Sequence, residues 1–319
     1  MKDGFNRNID YLRISLTDKC NLRCKYCMPQ GGIKHLDHSE IISLEEVAYT
    51  VKVMAKLGVR RVRLTGGEPL VRKNITKLIS DIKKIDGIER ISLTTNGVLL
   101  GDNIDKLKEA GLSDVNISLD TLDREVFKNL TGVDGLNKVL KSIDLAIEKG
   151  LTPKINCVPI LGWNDSELVK MAELARDKNL DVRFIELMPT SCGKNFKGIP
   201  SDLILEKLEL ALGEAEKCQK SSLSGPADYY IFNGFKGRVG FISPLSHIFC
   251  ENCNRVRLTA IGGLKLCLHQ DVMINLKDII RSGNEEQLKD AILEGLSMKP
   301  QMHNMNKKDA DTNMFQIGG

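Results

Sequence analysis

The sequence predicts an α/β fold, a partial (β/α)6 TIM-like barrel over residues 1–225, followed by a β-rich extension over residues 226–319. Over the first two thirds of the chain, short β-rich runs alternate with segments of helical periodicity, which implies a parallel sheet with helical crossovers. Right-handed crossovers curl such a sheet into a full or partial barrel. An open doubly wound sheet is the alternative.

Six strands are predicted in the barrel region, over residues 11–16, 59–64, 91–95, 114–119, 154–160 and 182–187. A capping box formed by Ser43 and Glu46 begins the first helix, and Gly58 ends it. Further apolar stripes at helical spacing lie within residues 75–82 and 139–147, and residues 164–167 begin another helix.

From about Asp228 the pattern changes to short antiparallel strands. Residues 229–232 and 238–242 are predicted to pair around an Asn-Gly turn, and residues 255–258 and 264–266 around Gly262 and Gly263. These pairs define the β-rich extension.

Bulk composition excludes several classes of protein. The 319 residues carry a net charge of only +4, which does not suggest a nucleic-acid-binding protein. No apolar stretch reaches the length of a membrane helix, and the first residues have no apolar signal core, so we expect a cytoplasmic chain. The odd count of 9 cysteines, six of them in two ligand-like groups, argues against a disulfide framework.

The first of these groups follows the first predicted strand. Cys20, Cys24 and Cys27 form a C-x3-C-x2-C pattern. An iron–sulfur cubane normally takes four thiolates, so three leave one iron with an open position, where chemistry occurs. A structural zinc site usually has paired C-x2-C halves and four ligands.

The second group lies in the β-rich extension. Cys250, Cys253 and Cys267 form a C-x2-C-x13-C pattern, which His247 or His269 could complete as a zinc site. Taken alone, this group suits zinc and iron equally. Because the chain has two such triads, two clusters, each with an open iron, become the leading hypothesis.

Polar residues recur along the predicted barrel strands and near their carboxyl ends, the end where barrel enzymes place their active sites. The cations among them are Arg13, Arg63, Lys154 and Arg183, joined by Arg255 and Arg257 beside the second triad. One arginine on a strand is usually an edge or surface residue. Several converging cations would form a pocket suited to a polyphosphate, because guanidinium groups match phosphate oxygens.

The first triad, with an aromatic residue before its last cysteine and followed by the Gly-Gly-Glu-Pro run at residues 66–69, resembles the radical S-adenosylmethionine superfamily. The motifs at residues 13–18, 63–70, 93–97, 116–120 and 183–186, the second triad and the terminal diglycine are together similar to the GTP 3′,8-cyclase family. The resemblance covers nearly the whole chain.

The resemblance implies two [4Fe–4S] clusters, the first held by Cys20, Cys24 and Cys27 and the second, in the extension, by Cys250, Cys253 and Cys267. The residues implied to contact S-adenosylmethionine are Tyr26, Gly67, Ser118 and Met188. Those implied to contact GTP are Arg13, Arg63, Thr94, Lys154, Arg255, Val256 and Arg257. Arg183 is implied to lie near the pocket. Gly318 and Gly319 fit a role inside the site, since glycines allow close backbone approach to a ligand, and a disordered chain end is the alternative.

The implied reaction begins with reductive cleavage of S-adenosylmethionine to a 5′-deoxyadenosyl radical, which takes hydrogen from ribose C3′ of GTP. The C3′ radical adds to C8 of guanine, and reduction of the resulting radical by one electron through the second cluster, with uptake of a proton, completes (8S)-3′,8-cyclo-7,8-dihydro-GTP. This is the first step of molybdenum cofactor biosynthesis. The resemblance also implies a reductant such as flavodoxin or ferredoxin and a homodimer, with no nucleic-acid or membrane partner.

Two other functions stay open from the sequence. One is a different radical enzyme with an auxiliary cluster, which would cleave S-adenosylmethionine without responding to GTP. The other is a non-catalytic iron–sulfur or zinc protein. A carrier needs clusters with four protein ligands, and two incomplete triads argue against it.

Overall fold

The computed structural model describes residues 1–29, 31, 35–189, 191–219, 225–269 and 272–303. Twelve strands within these ranges form one sheet: β1 (Tyr11–Ser15), β2 (Arg61–Thr65), β3 (Arg90–Thr95), β4 (Asp114–Ser118), β5 (Lys154–Cys157), β6 (Asp181–Ile185), β7 (Ala215–Lys217), β8 (Asp228–Phe232), β9 (Val239–Ile242), β10 (Arg255–Leu258), β11 (Gly263–Lys265) and β12 (Met273–Asn275). The helices are α1 (Leu44–Lys56), α2 (Ile75–Lys83), α3 (Ile104–Glu109), α4 (Arg124–Thr131), α5 (Leu136–Glu148), α6 (Leu168–Asp177), α7 (Ser201–Leu212), α8 (Lys277–Ser282) and α9 (Glu285–Ser297).

The strands follow the order β12-β11-β10-β1-β2-β3-β4-β5-β6-β9-β8-β7. Strands β1 to β6 are parallel and lie in sequence order, which confirms the predicted partial barrel. The extension adds one further parallel strand at each side, because β10 pairs with β1 and β9 pairs with β6. The sheet therefore continues through both predicted regions, and the division at residue 225 stays a prediction.

The predicted antiparallel pairs are confirmed as β8 with β9 and β10 with β11. The extension is not only β-rich, since α8 and α9 follow β12 and pack against α1. Sequence reasoning missed these two helices.

The capping box of α1 is confirmed. The Ser43 hydroxyl accepts a hydrogen bond from the Glu46 amide at 3.1 Å, and the Glu46 carboxylate accepts one from the Ser43 amide at 2.6 Å. Strand β2 begins two residues later than predicted, because the Val59 amide still donates to the Met54 carbonyl at the end of α1.

Strand β5 ends earlier than predicted. The amide of Ile160 donates to the side chain of Asn164 at 2.7 Å, and Ile160 forms a bridge with Gly198. This local pairing turns the chain away from the sheet after Cys157.

The two faces of the parallel strands differ in polarity. On one face, register partners such as Ile14, Leu64, Leu93 and Val115 are fully buried and belong to one apolar core shared with the helices. Because side chains alternate along strands, the other face carries the polar residues and lines the barrel interior. No helix within the described ranges is long and apolar enough to cross a membrane.

Candidate active site

The inner face of the barrel carries a row of arginines. Parallel pairing places Arg257 of β10 opposite Arg13 of β1, and Arg13 opposite Arg63 of β2. Arg255 lies opposite Tyr11 in the same strand pair. The structure thus brings together cations that lie more than 190 residues apart in the chain, as the sequence predicts.

The electrostatics of this row show how concentrated the positive charge is. Burial and the neighbouring guanidinium of Arg257 hold the pKa of Arg13 well below its usual value, with smaller contributions from Arg63 and Arg255. Burial and Arg255 lower the pKa of Arg257 to about 10. A bound polyanion would relieve this repulsion.

Arg63 is held by two hydroxyl groups. Its Nε donates to the Tyr11 hydroxyl, and its Nη1 lies 3.4 Å from the Thr94 hydroxyl. Thr94 therefore lies beside the arginine row, and its contact with GTP stays a prediction, whereas sequence reasoning missed Tyr11. The signal was available, because Tyr11 is two residues before Arg13 and must share its face.

Val256 is placed differently from its two neighbours. It pairs with Leu12 on the apolar face and is 1% exposed, so its side chain points into the core. Within the predicted segment, only the side chains of Arg255 and Arg257 share the inner face.

Lys154 and Arg183 extend the polar interior along β5 and β6. Lys154 Nζ lies 3.1 Å from Asp114, whose pKa is about 2, since ion pairs and hydrogen bonds with Arg90 and Lys154 outweigh its burial. Arg183 donates twice to the Asn156 side chain, at 3.0 and 2.6 Å. Its register partner is Gly240, where an added Cβ would lie 2.9 Å from the Tyr229 ring and 3.1 Å from Arg183 Cγ, so the glycine makes room for both side chains.

The first triad lies in the loop that follows β1. The amides of Cys27 and Met28 both donate to the Cys24 carbonyl at 2.9 Å, which forms a tight turn. Burial and electrostatic interaction with Cys27, Asp120 and Cys20 raise the pKa of the Cys24 thiol well above its usual value. Thiolates are the soft donors that iron–sulfur clusters take, so the residue types in this loop fit such a cluster.

The Gly-Gly-Glu-Pro run touches the backbone that leads into this triad. The Gly67 amide donates to Thr17 at 2.7 Å, and the Glu68 amide to Lys19 at 2.8 Å. A Cβ on Gly67 would lie 2.3 Å from the Lys19 carbonyl oxygen, so only glycine fits. This run is therefore more than an ordinary turn after a strand, because it is hydrogen-bonded to the loop that carries the first triad.

Glu68, in the loop after β2, and Asn96, just after β3, complete the support of the loop that carries the first triad. The fully buried Glu68 carboxylate accepts hydrogen bonds from the Thr95 hydroxyl at 2.8 Å and the Asn96 amide at 2.7 Å, and burial raises its pKa to about 7. The Asn96 side chain then donates to Asn21 at 2.7 Å and contacts the Cys20 sulfur at 3.7 Å. Sequence reasoning assigned no role to either side chain.

A cavity adjoins the first triad, and Cys24, Tyr26 and Ser118 line it together with Asp120. The Tyr26 hydroxyl donates to Asp120 at 2.7 Å, and burial raises the pKa of that carboxyl to about 6. Of the four residues predicted to contact S-adenosylmethionine, Tyr26 and Ser118 line this cavity. Gly67 lies in the loop after β2, packed against the Lys19 backbone, and Met188 is half-buried after β6.

The barrel interior also holds buried polar atoms that have no hydrogen-bond partner within the described residues. They include the Ser15 and Thr65 hydroxyls and the Asn116 side-chain oxygen. Ser15 and Thr65 are register partners at the carboxyl ends of β1 and β2. Such atoms fit a polar ligand, because buried polar groups are almost always satisfied.

The second triad lies at the opposite end of the barrel, since Cys253 precedes β10, which runs parallel to β1. Cys250 and Cys253 flank a short turn, and Cys267 follows β11. Electrostatic interaction with Cys267 and Cys253 contributes to the raised pKa of Cys250, after burial. Three cysteine thiolates are again donors of the kind that an iron–sulfur cluster takes.

The two candidate histidines for this site differ in position. His247 is exposed and contacts Asp202 at 3.1 Å. His269 packs against the ring of His303 with 5.0 Å between centroids. Gly318 and Gly319 lie outside the described residues.

Comparison with known proteins agrees with both halves of this site. Residues 14–175 match the family model of the radical SAM superfamily, and residues 180–305 match that of Molybdenum Cofactor Synthesis C. The chain is 46% identical to the GTP 3′,8-cyclase of Clostridium perfringens strain 13 over 100% of both chains. It is also 46% identical to that of Peptoclostridium acidaminophilum, over 99% of this chain and 98% of the relative.

The chain belongs to the GTP 3′,8-cyclase family of the radical SAM superfamily. This family uses S-adenosylmethionine and two [4Fe–4S] clusters, which agrees with the two cysteine triads. Among solved structures, Streptococcus suis SuiB bound to S-adenosylmethionine aligns with a TM-score of 0.64 at 15% identity, covering 95% of this chain and 76% of SuiB. That likeness confirms the radical SAM fold.

Proposed function

We propose that this GTP 3′,8-cyclase family member converts GTP to (8S)-3′,8-cyclo-7,8-dihydro-GTP. The observation that carries this function is the position of the arginine row. It lies on β1, β2 and β10, between the first triad at the carboxyl end of β1 and the second triad at the amino end of β10. A strand of five residues is roughly 16 Å long, enough for one nucleotide to lie between the two ends.

Each triad has its own part in this proposal. Cys20, Cys24 and Cys27 would hold the first cluster, and Cys250, Cys253 and Cys267 the second. When bound, the first cluster and S-adenosylmethionine supply the one-electron chemistry that removes hydrogen from the ribose. Tyr26, Ser118, Gly67 and Met188 are proposed to hold S-adenosylmethionine.

The barrel interior would bind and orient GTP. Arg13, Arg63, Arg255 and Arg257 would neutralise the triphosphate, because guanidinium groups bind phosphate oxygens through paired hydrogen bonds. Thr94 and Lys154 lie further along the same polar face. Holding the ribose close to the reacting group in an enclosed site excludes water and favours the intended hydrogen transfer.

Arg183 is proposed to act near the base or ribose, with its guanidinium oriented by Asn156. Gly318 and Gly319 are proposed to act inside the site, and Val256 to contribute through its backbone. We also propose a flavodoxin or ferredoxin as reductant, a homodimer, a cytoplasmic location, and a radical domain that ends near residue 225.

The test is an anaerobic assay of the reconstituted chain with dithionite, S-adenosylmethionine and either GTP or ATP. GTP-dependent 5′-deoxyadenosine with a matching amount of cyclised nucleotide is the expected result. Cleavage that is indifferent to GTP would keep the radical chemistry and refute the cyclase function.

A further inference from the structure

The first seven residues fold into a tight turn that fixes the direction of one arginine. The Asp3 carboxylate accepts hydrogen bonds from the amides of Phe5 and Arg7, both at 3.0 Å, and pairs with Arg7 Nε at 2.6 Å. Both side chains are buried, with 9% of Arg7 and none of Asp3 exposed. Gly4 packs against the end of α9, where an added Cβ would lie 3.0 Å from the Ser297 carbonyl oxygen.

The remaining nitrogens of Arg7 reach the second triad. Nη1 donates to the Cys250 carbonyl and to the Gln301 carbonyl, both at 2.8 Å, and Nη2 donates to the Pro300 carbonyl at 2.6 Å. One guanidinium therefore joins the N-terminal turn, the first cysteine of the triad and the segment after α9. Only a planar fork of donors can make these bonds together.

The segment after α9 reaches the other cysteines. Lys299 is 2% exposed and its Nζ donates at 2.5 Å to the carbonyl of Leu266, the residue before Cys267. Its charge interacts with the thiols of Cys253 and Cys267. The backbone amide of His303 also hydrogen-bonds to the Cys250 thiol.

We propose that Arg7 and Lys299 form a cationic clasp that positions the second triad and raises the reduction potential of the cluster bound there. This inference rests on the proposed function, because it requires a cluster at the second triad. Groups beyond the direct ligands orient those ligands and tune the metal. The charge of Arg7 is paired with Asp3, so Arg7 acts mainly through its hydrogen bonds. The buried positive charge of Lys299 favours the reduced cluster, which carries one more negative charge, and burial reduces screening by solvent.

The experiment isolates the second cluster in the full chain. Cys20, Cys24 and Cys27 are replaced by alanine, the chain is reconstituted anaerobically, and iron per chain and the midpoint potential are measured by a redox titration followed by electron paramagnetic resonance. Variants in this background are Arg7→Lys, which keeps the charge and loses the fork, Lys299→Met, which loses the charge, and Lys299→Arg, which keeps it. Arg60→Gln is the matched control. Arg60 is exposed, and its ion pair with Glu89 is exposed and long, at 3.7 Å.

The background chain should bind about four irons. We expect Arg7→Lys to bind less than half of that iron, and Lys299→Met to shift the midpoint potential to a more negative value. Lys299→Arg should restore the potential, and Arg60→Gln should change neither quantity. A change in potential that follows charge is not expected of a merely structural role.

Full iron occupancy in Arg7→Lys would overturn the positioning role, and an unchanged potential in Lys299→Met would overturn the electrostatic role. Failure of the underlying function looks different. If the second triad holds no cluster, the background chain itself binds no iron before any clasp residue is changed.

Discussion

Replacing Arg257 by methionine is expected to stabilise the ligand-free chain while it weakens GTP binding. Arg257 is 6% exposed and lies in register with Arg13, and burial and Arg255 lower its pKa from the usual 12.5 to about 10. A pKa change of this size corresponds to about 3 kcal/mol by which the native state disfavours the charged group. Methionine keeps much of the side-chain length and removes the charge.

The gain should be less than that full amount, because methionine cannot replace the polar contacts of the guanidinium. We expect the free energy of unfolding of the ligand-free chain to rise by about 1–2 kcal/mol, measured by urea denaturation at pH 7.5. The dissociation constant for GTP, measured by calorimetry, should rise about 10- to 100-fold, since a hydrogen bond to a charged group contributes about 1.5–3 kcal/mol.

The control is Arg60→Met, because Arg60 is exposed and lies outside the barrel interior. It should change stability by less than about 0.5 kcal/mol and leave GTP binding unaltered. An Arg257→Met chain that is less stable than the wild type and binds GTP equally well would refute the reasoning. That outcome would mean that the arginine row is a structural element without a ligand.

Three further predictions follow from the site. Gly67→Ala should lower the free energy of unfolding, measured by urea denaturation, by about 1–3 kcal/mol and should lower the iron bound at the first triad, because the new Cβ would lie 2.3 Å from a backbone oxygen. Gly31→Ala, where the new Cβ would lie in open space, should change neither quantity. Glu68 has a pKa of about 7 in the native chain against a usual 4.5, so between these pH values the native chain binds more protons than the unfolded chain. The free energy of unfolding should therefore fall by up to about 3 kcal/mol as pH rises through that window, and the fall should be smaller in Glu68→Gln. An equal fall in the wild type and in Glu68→Gln, measured by urea denaturation at pH 5 and pH 8, would contradict this prediction. Cys253→Ala should halve the iron from about eight to about four per chain and abolish cyclised product while 5′-deoxyadenosine still forms. Full cyclisation in that variant would contradict a role for the second triad.

The sequence alone was sufficient for several features whose cause is local along the chain. Alternation of apolar and polar residues located β1 to β6, and the Ser43 capping box located the start of α1. The spacing of each cysteine triad indicated its chemistry, because ligands a few residues apart can face one metal site without knowledge of the fold.

The tertiary structure alone decided which of these features meet. Strand periodicity tells which residues share a face and does not tell which strand lies beside another. That choice depends on burial of the whole apolar face. The convergence of the cations was predicted, but the pairing of β10 with β1 and the register that places Arg257 directly opposite Arg13 appeared only in the fold. The same holds for Arg7, which reaches Cys250 across 243 positions of the chain, and for Asn96 beside Cys20. A hydrogen bond between distant residues leaves no periodic trace in the sequence, because its partners are brought together by packing of elements that each could form alone.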